Sequence, residues 1–548
     1  MDAFYLCLIK EAKFKKIKNS EDLEAFKKSF SRKLKQNMPT NADIRGFYEK
    51  FLKENKIVRD KNLESLLQSQ KIRTLSGVAV VAVLTRPEPC LGNCLYCPTE
   101  KDMPKSYLSN EPAVMRAISS NFDPFEQVEK RLEALFLNGH DVSKIELIVM
   151  GGTFSHLPKN YRTWFIKECF RGCNGYKLKV KSEKSKVIKE ENYLFDEKKT
   201  MKEFLRELER EQKVNETAKC RVVGLTLETR PDCIDAKEVK DFCRLGATRV
   251  ELGVQSVSET VLKINRRGHG VKEIVKATKL LKDAGFKIGY HLMPGLFGSN
   301  LKKDLADFTK IFSDSRFKPD LIKIYPCVVT SNCDLFLLFK NKKYTPLSDE
   351  ETKKIILAIK KIVPHYVRIS RVVRDIPETS IVAGPKISNL RQLIEKESQC
   401  RCIRCRESKN QLFSGKNISL QRFDYEASGG KEIFLEFSSA QGVELFSLLR
   451  LRIFKEKSGL SAMIREVHTY GKVTGVNEKK TTEQKEKPQH EGLGKKLIQE
   501  AEKIAFQEFG VKKISVISGV GVREYYRKLG YGLEGTYMTK KWKMEKSK

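Results

Sequence analysis

Between Leu75 and Pro364 short apolar runs alternate with amphipathic stretches. The runs are Val78–Leu84, Ile145–Met150, Val222–Leu227, Arg249–Val254, Lys287–His291 and Leu321–Tyr325. β-Branched residues are frequent in several of them, and Gly or Pro bounds most, as strands require. Stretches between them, such as Val271–Ala284 and Glu350–Ile362, have helical apolar spacing. Strand alternating with helix predicts a parallel sheet covered on both faces. Six such units predict an α/β partial barrel rather than a closed eight-fold one, with its site at the C-terminal strand ends.

The pattern changes on either side. Residues 1–73 read as helical, with a break at Asn37-Met-Pro-Thr40, and residues 172–219 read as a charged insert, helical in Met201–Gln212. Residues 365–410 read as a linker holding a strand-like Tyr366–Val373 and a turn at Ile376–Pro377. Residues 411–548 predict a second α/β domain. Its strands include Glu432–Phe437, Phe446–Ile453, Ala462–Tyr470 and Lys513–Ser518, and its helices are Leu493–Glu508 and Val522–Leu529.

Charge narrows the class. The 548 residues hold 105 Lys and Arg against 70 Asp and Glu, a formal charge of +35. Such an excess points to a polyanion, with nucleic acid first and an anionic membrane surface second. Residues 1–73 alone carry 18 basic against 10 acidic side chains, which suits a nucleic-acid-binding arm or a solvated helical cap. A 40% hydrophobic content excludes a wholly disordered chain. The apolar run Leu75–Leu84 is about half of what a spanning helix needs, so no membrane protein is expected. Lys10 and Glu11 follow a short apolar patch without a small-residue cleavage site. No secretion signal is therefore expected, which implies a cytoplasmic protein whose 14 cysteines are thiols.

Six of those cysteines cluster. Cys90-Leu-Gly-Asn-Cys94-Leu-Tyr-Cys97 follows the first predicted strand. Three thiolates on one tight loop suit three corners of a 4Fe-4S cluster and leave one iron open to a chelating ligand. A zinc loop with a remote fourth ligand is the competing reading. Cys400-Arg-Cys402-Ile-Arg-Cys405 suits tetrahedral zinc if a fourth ligand exists, with Cys327 as a candidate; an inert thiol cluster is the alternative. The interleaved Arg401, Arg404 and Arg406 suit phosphate contacts. In the second domain Gln489-His-Glu-Gly492-Leu-Gly494 precedes the helix Lys495–Phe506. Glycines there allow close backbone approach, and a helix N-terminus favours an anion such as the pyrophosphate of coenzyme A. A loop that merely turns would use the same glycines.

Two resemblances attach to these motifs. The cysteine spacing, with Tyr96 before the last cysteine, resembles the radical S-adenosylmethionine signature. The resemblance implies a cluster on Cys90, Cys94 and Cys97 whose open iron binds S-adenosylmethionine, with Tyr96 by the adenine. Met150-Gly151-Gly152-Thr153 resembles that superfamily's glycine motif, which implies contact with the methionine amino group. Glu228 to Arg230 and Glu251 to Gln255 stand where sulfonium and ribose contacts are expected. Gln489–Gly494 resembles the motif of the GNAT-type N-acetyltransferases, Arg465–Tyr470 their splayed strand, and Tyr525 and Tyr526 their late-helix tyrosines near the thioester.

Both motifs in one chain resemble the catalytic third subunit of Elongator, in its stand-alone archaeal and bacterial form, over about 74–548. Thr74-Leu-Ser-Gly-Val-Ala-Val-Val, Leu227-Glu-Thr-Arg-Pro-Asp232, Gly253-Val-Gln-Ser256 and Ile517-Ser-Gly-Val-Gly521 carry the likeness. It implies a six-unit partial radical barrel joined to a GNAT-type domain, and an acyltransferase acting on uridine 34 of tRNA. In that activity a 5′-deoxyadenosyl radical takes a hydrogen from the methyl of acetyl-CoA, the carbon adds to C5 of the uridine, and hydrolysis leaves 5-carboxymethyluridine. The resemblance places acetyl-CoA on Lys144, Glu466, Val467, His468, Thr469, Leu493, Gly494, Lys495 and Tyr526. It implies zinc on Cys400, Cys402 and Cys405, a tRNA anticodon stem-loop as partner, and an electron donor; a homodimer is compatible with it. The competing activity is protein lysine acetylation, which needs an acidic groove for a cationic peptide, and the +35 charge opposes that groove.

Overall fold

A computed structural model describes residues 1–69, 77–176, 195–387, 389–395, 397–408, 418–456, 459–470 and 492–542. The first sheet runs in chain order through β1 (Ala79–Leu84), β2 (Lys144–Met150), β3 (Arg221–Thr229), β4 (Arg249–Gln255), β5 (Lys287–Leu292), β6 (Leu321–Ile324) and β7 (Arg368–Val372). Every pairing is parallel, and the order never reverses. Such a path curls a sheet into a partial barrel. The predicted six strands are all present. A seventh, β7, comes from the segment expected to be a linker and pairs with β6, so the barrel continues past residue 364.

Alternation within the strands sorts side chains into two environments. Ile145, Leu147, Val149, Val250, Leu252 and Val254 pack under the helices in the main core. The intervening residues face the lumen, and many of them are charged. The expected insert also needs correction. Gly172 and Cys173 are buried in the helix Lys159–Asn174, and the helix Met201–Asn215 buries Phe204 and Leu208 in the main core. Residues 195–219 are therefore part of the crossover from β2 to β3, while 177–194 lie outside the described residues.

The N-terminal helices Asp2–Phe14, Ser20–Lys33, Asn41–Lys53 and Lys61–Leu67 close on a small core of their own around Leu8, Phe30, Tyr48 and Leu67. The break at Asn37–Thr40 is a helix start: Thr40 and Asp43 form a capping box. No helix among the described residues is long and apolar enough to cross a membrane.

The second sheet is formed by β8 (Ile418–Ala427), β9 (Gly430–Ser439), β10 (Leu445–Glu456), β11 (Gly459–Thr469), β12 (Lys513–Val516), β13 (Gly532–Glu534) and β14 (Tyr537–Lys541). Its order is β13-β14-β12-β11-β10-β9-β8, antiparallel except between β11 and β12. The helix Leu493–Lys503, extended by a π turn over Ile504–Glu508, packs Leu497 and Ile498 onto it. The sheet lies at the N-terminal ends of the barrel strands. Lys287 opens β5 and reaches Glu466 of β11 at 3.1 Å, and Arg368 opens β7 and donates to the Tyr470 hydroxyl at 3.2 Å. Arg450, Arg452, Arg465 and Lys282 are fully buried at this junction beside Asp320 and Glu432.

Candidate active site

The loop after β1 brings Cys90, Cys94 and Cys97 to a cavity of about 350 Å³ at the C-terminal ends of the barrel strands. Gly152, Glu228, Arg230 and Arg267 share its wall. Gly151 and Gly152 end β2 at φ +132° and +93°, and a Cβ on Gly151 would stand 2.0 Å from Thr85 Oγ1. Only glycine allows the chain to turn there. Cys90 Sγ lies 3.6 Å from Thr153 Oγ1 and accepts from Gly92 N–H at 3.4 Å. Cys94 accepts from Arg267 at 3.4 Å. Burial opposes its ionisation, but the Arg267 charge and hydrogen bond hold its pKa below the ordinary thiol value. For Cys97, burial outweighs the hydrogen bond from Ser106 and the charges of Lys105 and Arg374, and pushes it up to about 11.

This trio is not packed for a single ion. The Cys400, Cys402 and Cys405 sulfurs lie within 4.8 Å of one another, a grouping that Cys90, Cys94 and Cys97 do not form. A tetrahedral zinc asks for sulfurs about 3.8 Å apart, whereas a cubane spreads its ligands more widely. Buried Arg230 also leaves its Nη1 without a partner. That nitrogen lies 2.1 Å from where a Cβ on Gly92 would stand, so a donor is aimed at the cysteine loop. The site therefore fits a polynuclear, anionic group.

The cavity floor was not foreseen as a unit. Glu228 accepts from Tyr107 at 3.0 Å and from Lys323 at 3.1 Å, and Glu251 pairs with His291 at 2.9 Å. Burial alone would raise the Glu251 pKa, but Lys323 and His291 hold it well below the usual carboxylate range. Glu228, Glu251 and His291 bring their ligand atoms within 4.8 Å of one another, yet the Lys323 ammonium already supplies the cation among them. The signal for this floor is the charge at inward positions of β3 to β6, unusual for buried parallel strands.

A second convergence lies in the other sheet. β12 pairs with β11 only at Ala462–Ile464, so Arg465–Thr469 diverge from it and leave a backbone edge beside the helix Leu493–Lys503. Gly492 precedes that helix at φ +69°. A Cβ on Gly494 would stand 3.4 Å from Thr469 Oγ1, 3.6 Å from the Tyr525 hydroxyl and 3.8 Å from Val467. These four residues thus meet in one cleft, with Leu493 buried and Lys495 exposed at its helical side. The tyrosine pair is divided: Tyr525 is half exposed, while Tyr526 is buried against Tyr531 in the second core. Glu466 and His468 turn toward the barrel, and burial lowers His468 to about 4. Lys144, at the start of β2, is half buried, and burial beside Arg221 lowers its pKa. Gln489, His490 and Glu491 lie outside the described residues.

Among the described residues no fourth His, Cys, Asp or Glu ligand joins the Cys400, Cys402 and Cys405 group. Cys327 does not approach it. Its thiol is buried beside Cys94, Leu95 and Tyr344, so it is not the missing ligand.

Residues 88–309 match the Radical SAM superfamily and residues 319–399 the Radical_SAM C-terminal domain, which implies a 4Fe-4S cluster and S-adenosylmethionine. The chain is 44% identical over 503 residues to the tRNA uridine(34) acetyltransferase of Methanocaldococcus infernus, covering 88% of each. It is 43% identical to the enzyme of that name from Dehalococcoides mccartyi, covering 85% of this chain and 98% of that one. It is 38% identical to Elongator complex protein 3 of Homo sapiens, covering 88% and 87%. The solved archaeal Methanocaldococcus infernus Elp3 with an N-terminal deletion superposes with a TM-score of 0.68 at 40% identity, covering 85% of this chain and 99% of that one. Similarity of this extent, spanning both sheets, makes the chain a member of the family of Elongator complex protein 3 and the tRNA uridine(34) acetyltransferases.

Proposed function

We propose that this protein modifies uridine 34 of tRNA, joining the acetyl methyl carbon of acetyl-CoA to C5 of the base and leaving a carboxymethyl group after thioester hydrolysis. The observation that carries this reading is the pairing, in one chain, of a three-cysteine cavity at one end of the barrel and a splayed-strand cleft at the other. Cys90, Cys94 and Cys97 would hold the 4Fe-4S cluster. When bound and reduced, that cluster supplies the electron that cleaves S-adenosylmethionine.

The chain's own residues do the rest. Gly151 and Gly152 open the backbone at the end of β2 for the methionine end, with Tyr96 and Glu228 on the flanks. Arg267 and Arg230 offset the negative charge of the thiolates. Lys323 and Arg371 line the cavity and offer donors to an electron-rich base. In the second cleft the free edge of Glu466–Thr469 would pair with the amide arm of coenzyme A. The amides of Leu493, Gly494 and Lys495, at the helix N-terminus, would hold its pyrophosphate. The Tyr525 hydroxyl, beside Gly494, would lie near the thioester, and Tyr526 supports the helix from the core. Lys144 would bridge the two domains at the barrel's lower rim.

The basic N-terminal helices, the barrel mouth and Arg401 and Arg404 of the linker would bind the anticodon stem-loop through phosphates, with the base splayed from its loop; Arg406, expected with them, is instead buried in a fork on Glu436. Cys400, Cys402 and Cys405 would hold a structural zinc. An electron donor is required. Protein lysine acetylation is disfavoured because a +35 chain offers poor electrostatics for a cationic peptide.

The test is anaerobic incubation of reconstituted protein with tRNA, acetyl-CoA, S-adenosylmethionine and a reductant. Formation of 5′-deoxyadenosine and a modified uridine 34 is expected, both lost in Cys94→Ala. Peptide acetylation that persists in Cys94→Ala, with tRNA untouched, would contradict the reading.

A further inference from the structure

The two clefts lie at opposite ends of one barrel. The cysteine loop is at the C-terminal strand ends, and Glu466 of the splayed strand touches Lys287 at the N-terminal end of β5. Lys287 and His291 face the lumen four residues apart, about 13 Å along the strand. Hydrogen transfer needs reacting atoms within about 3.5 Å. One reactant must therefore travel.

We propose that the barrel lumen is the passage through which the acyl end of the thioester arm reaches the cysteine-lined cavity. This rests on the function proposed above and adds the route. Barrel interiors are ordinarily filled by layers of branched apolar side chains. Here the inward positions 224, 253 and 289 are glycine, and their neighbours are long charged side chains that can swing aside.

Side-chain exposure is largest at the two ends and smallest in the middle. Glu146 and Lys287 at the lower end are 24% and 19% exposed, and His291 and Lys323 at the upper end are 14% each. Arg249, which opens β4 in register with Lys287, is 10% exposed, and Glu251, which it meets at 3.4 Å further up the lumen, falls to 2%. The least exposed of these side chains is Glu251, held by Arg249 on one side and by Lys323 and His291 on the other. At the level of Arg249, Thr226 Oγ1 is buried without a hydrogen-bond partner. A passing thioester or amide carbonyl would satisfy it.

The experiment follows deuterium from [methyl-²H₃]acetyl-CoA into 5′-deoxyadenosine in holoprotein supplied with tRNA and reductant. Gly224 faces the lumen with room for a Cβ, whose nearest neighbours would be 3.6 and 3.8 Å away. Gly224→Leu, and Ile148→Phe on the neighbouring strand, are expected to cut deuterium transfer at least tenfold. S-adenosylmethionine cleavage and acetyl-CoA binding should stay near wild type. A second readout avoids any filled core. In Thr226→Cys, bromoacetyl-CoA should alkylate the introduced thiol, with bromide leaving, and free coenzyme A should block the reaction. Undiminished deuterium transfer in both filled variants, or no alkylation at position 226, would overturn the route. Absence of deuterium transfer in the unsubstituted protein would instead overturn the function on which the route depends.

Discussion

Arg465 of β11 donates to both carboxylate oxygens of Asp320, at 2.8 and 2.6 Å, and both side chains are fully buried. Asp320 immediately precedes β6, so this fork ties the second sheet to the barrel. Glu432 takes the Arg465 Nε at 3.2 Å. Arg465→Met would leave two buried carboxylates short of a partner, at a cost of about 3–5 kcal/mol. We expect a lower thermal midpoint for the whole protein in calorimetry. A transition confined to one domain would show that the junction is not shared.

The junction also titrates. Burial opposes ionisation of Glu216, but hydrogen bonds from Arg527, Lys213 and Arg523 outweigh it and hold its pKa at about 2. The folded carboxyl is more acidic than the unfolded one. Its stabilising contribution is therefore complete above the unfolded pKa of about 4.5 and disappears as pH falls toward 2. Glu216→Gln should lower the thermal midpoint at neutral pH, and its deficit should shrink through that window. A deficit that stays constant from neutral pH down to pH 3 would refute the assignment.

Zinc at Cys400, Cys402 and Cys405 has a direct readout. Purified protein should carry about one zinc per chain. Cys402→Ser should remove it while leaving the iron reconstituted on the first loop. Equal zinc in protein and variant would place the ion elsewhere.

Phosphate contacts predict a steep salt dependence for tRNA binding. If six phosphates are neutralised, affinity should fall about a thousandfold between 50 and 200 mM salt. Filter binding across that range measures the slope, and a flat response would argue against the basic surface as the tRNA site.

Much of this was legible in the chain because apolar periodicity reports burial. The first six barrel strands fall where the runs Val78–Leu84 to Leu321–Tyr325 indicated, within two residues at either end. The strand-like Tyr366–Val373 does form β7, but it reads as part of a linker because Arg368-Ile-Ser-Arg-Val372 is an edge strand with few apolar residues, and only tertiary pairing to β6 reveals its sheet. The helix Met201–Asn215 was read as an excursion because its polar face carries most of its charge, which hides Phe204 and Leu208. The cysteine loops and the Gly492–Gly494 turn were visible because their chemistry is local in sequence. The floor of Glu228, Glu251, His291 and Lys323 was not, because its members come from four strands. The separation of Tyr525 from Tyr526 likewise depends on which side of a short helix meets the core.

The most direct test of the account is nucleoside mass spectrometry of tRNA after anaerobic incubation with [¹³C₂]acetyl-CoA, S-adenosylmethionine and reductant. A uridine 34 product carrying both labelled carbons is expected, absent in Cys94→Ala. Unmodified uridine 34 in fully reconstituted, S-adenosylmethionine-cleaving protein would contradict it.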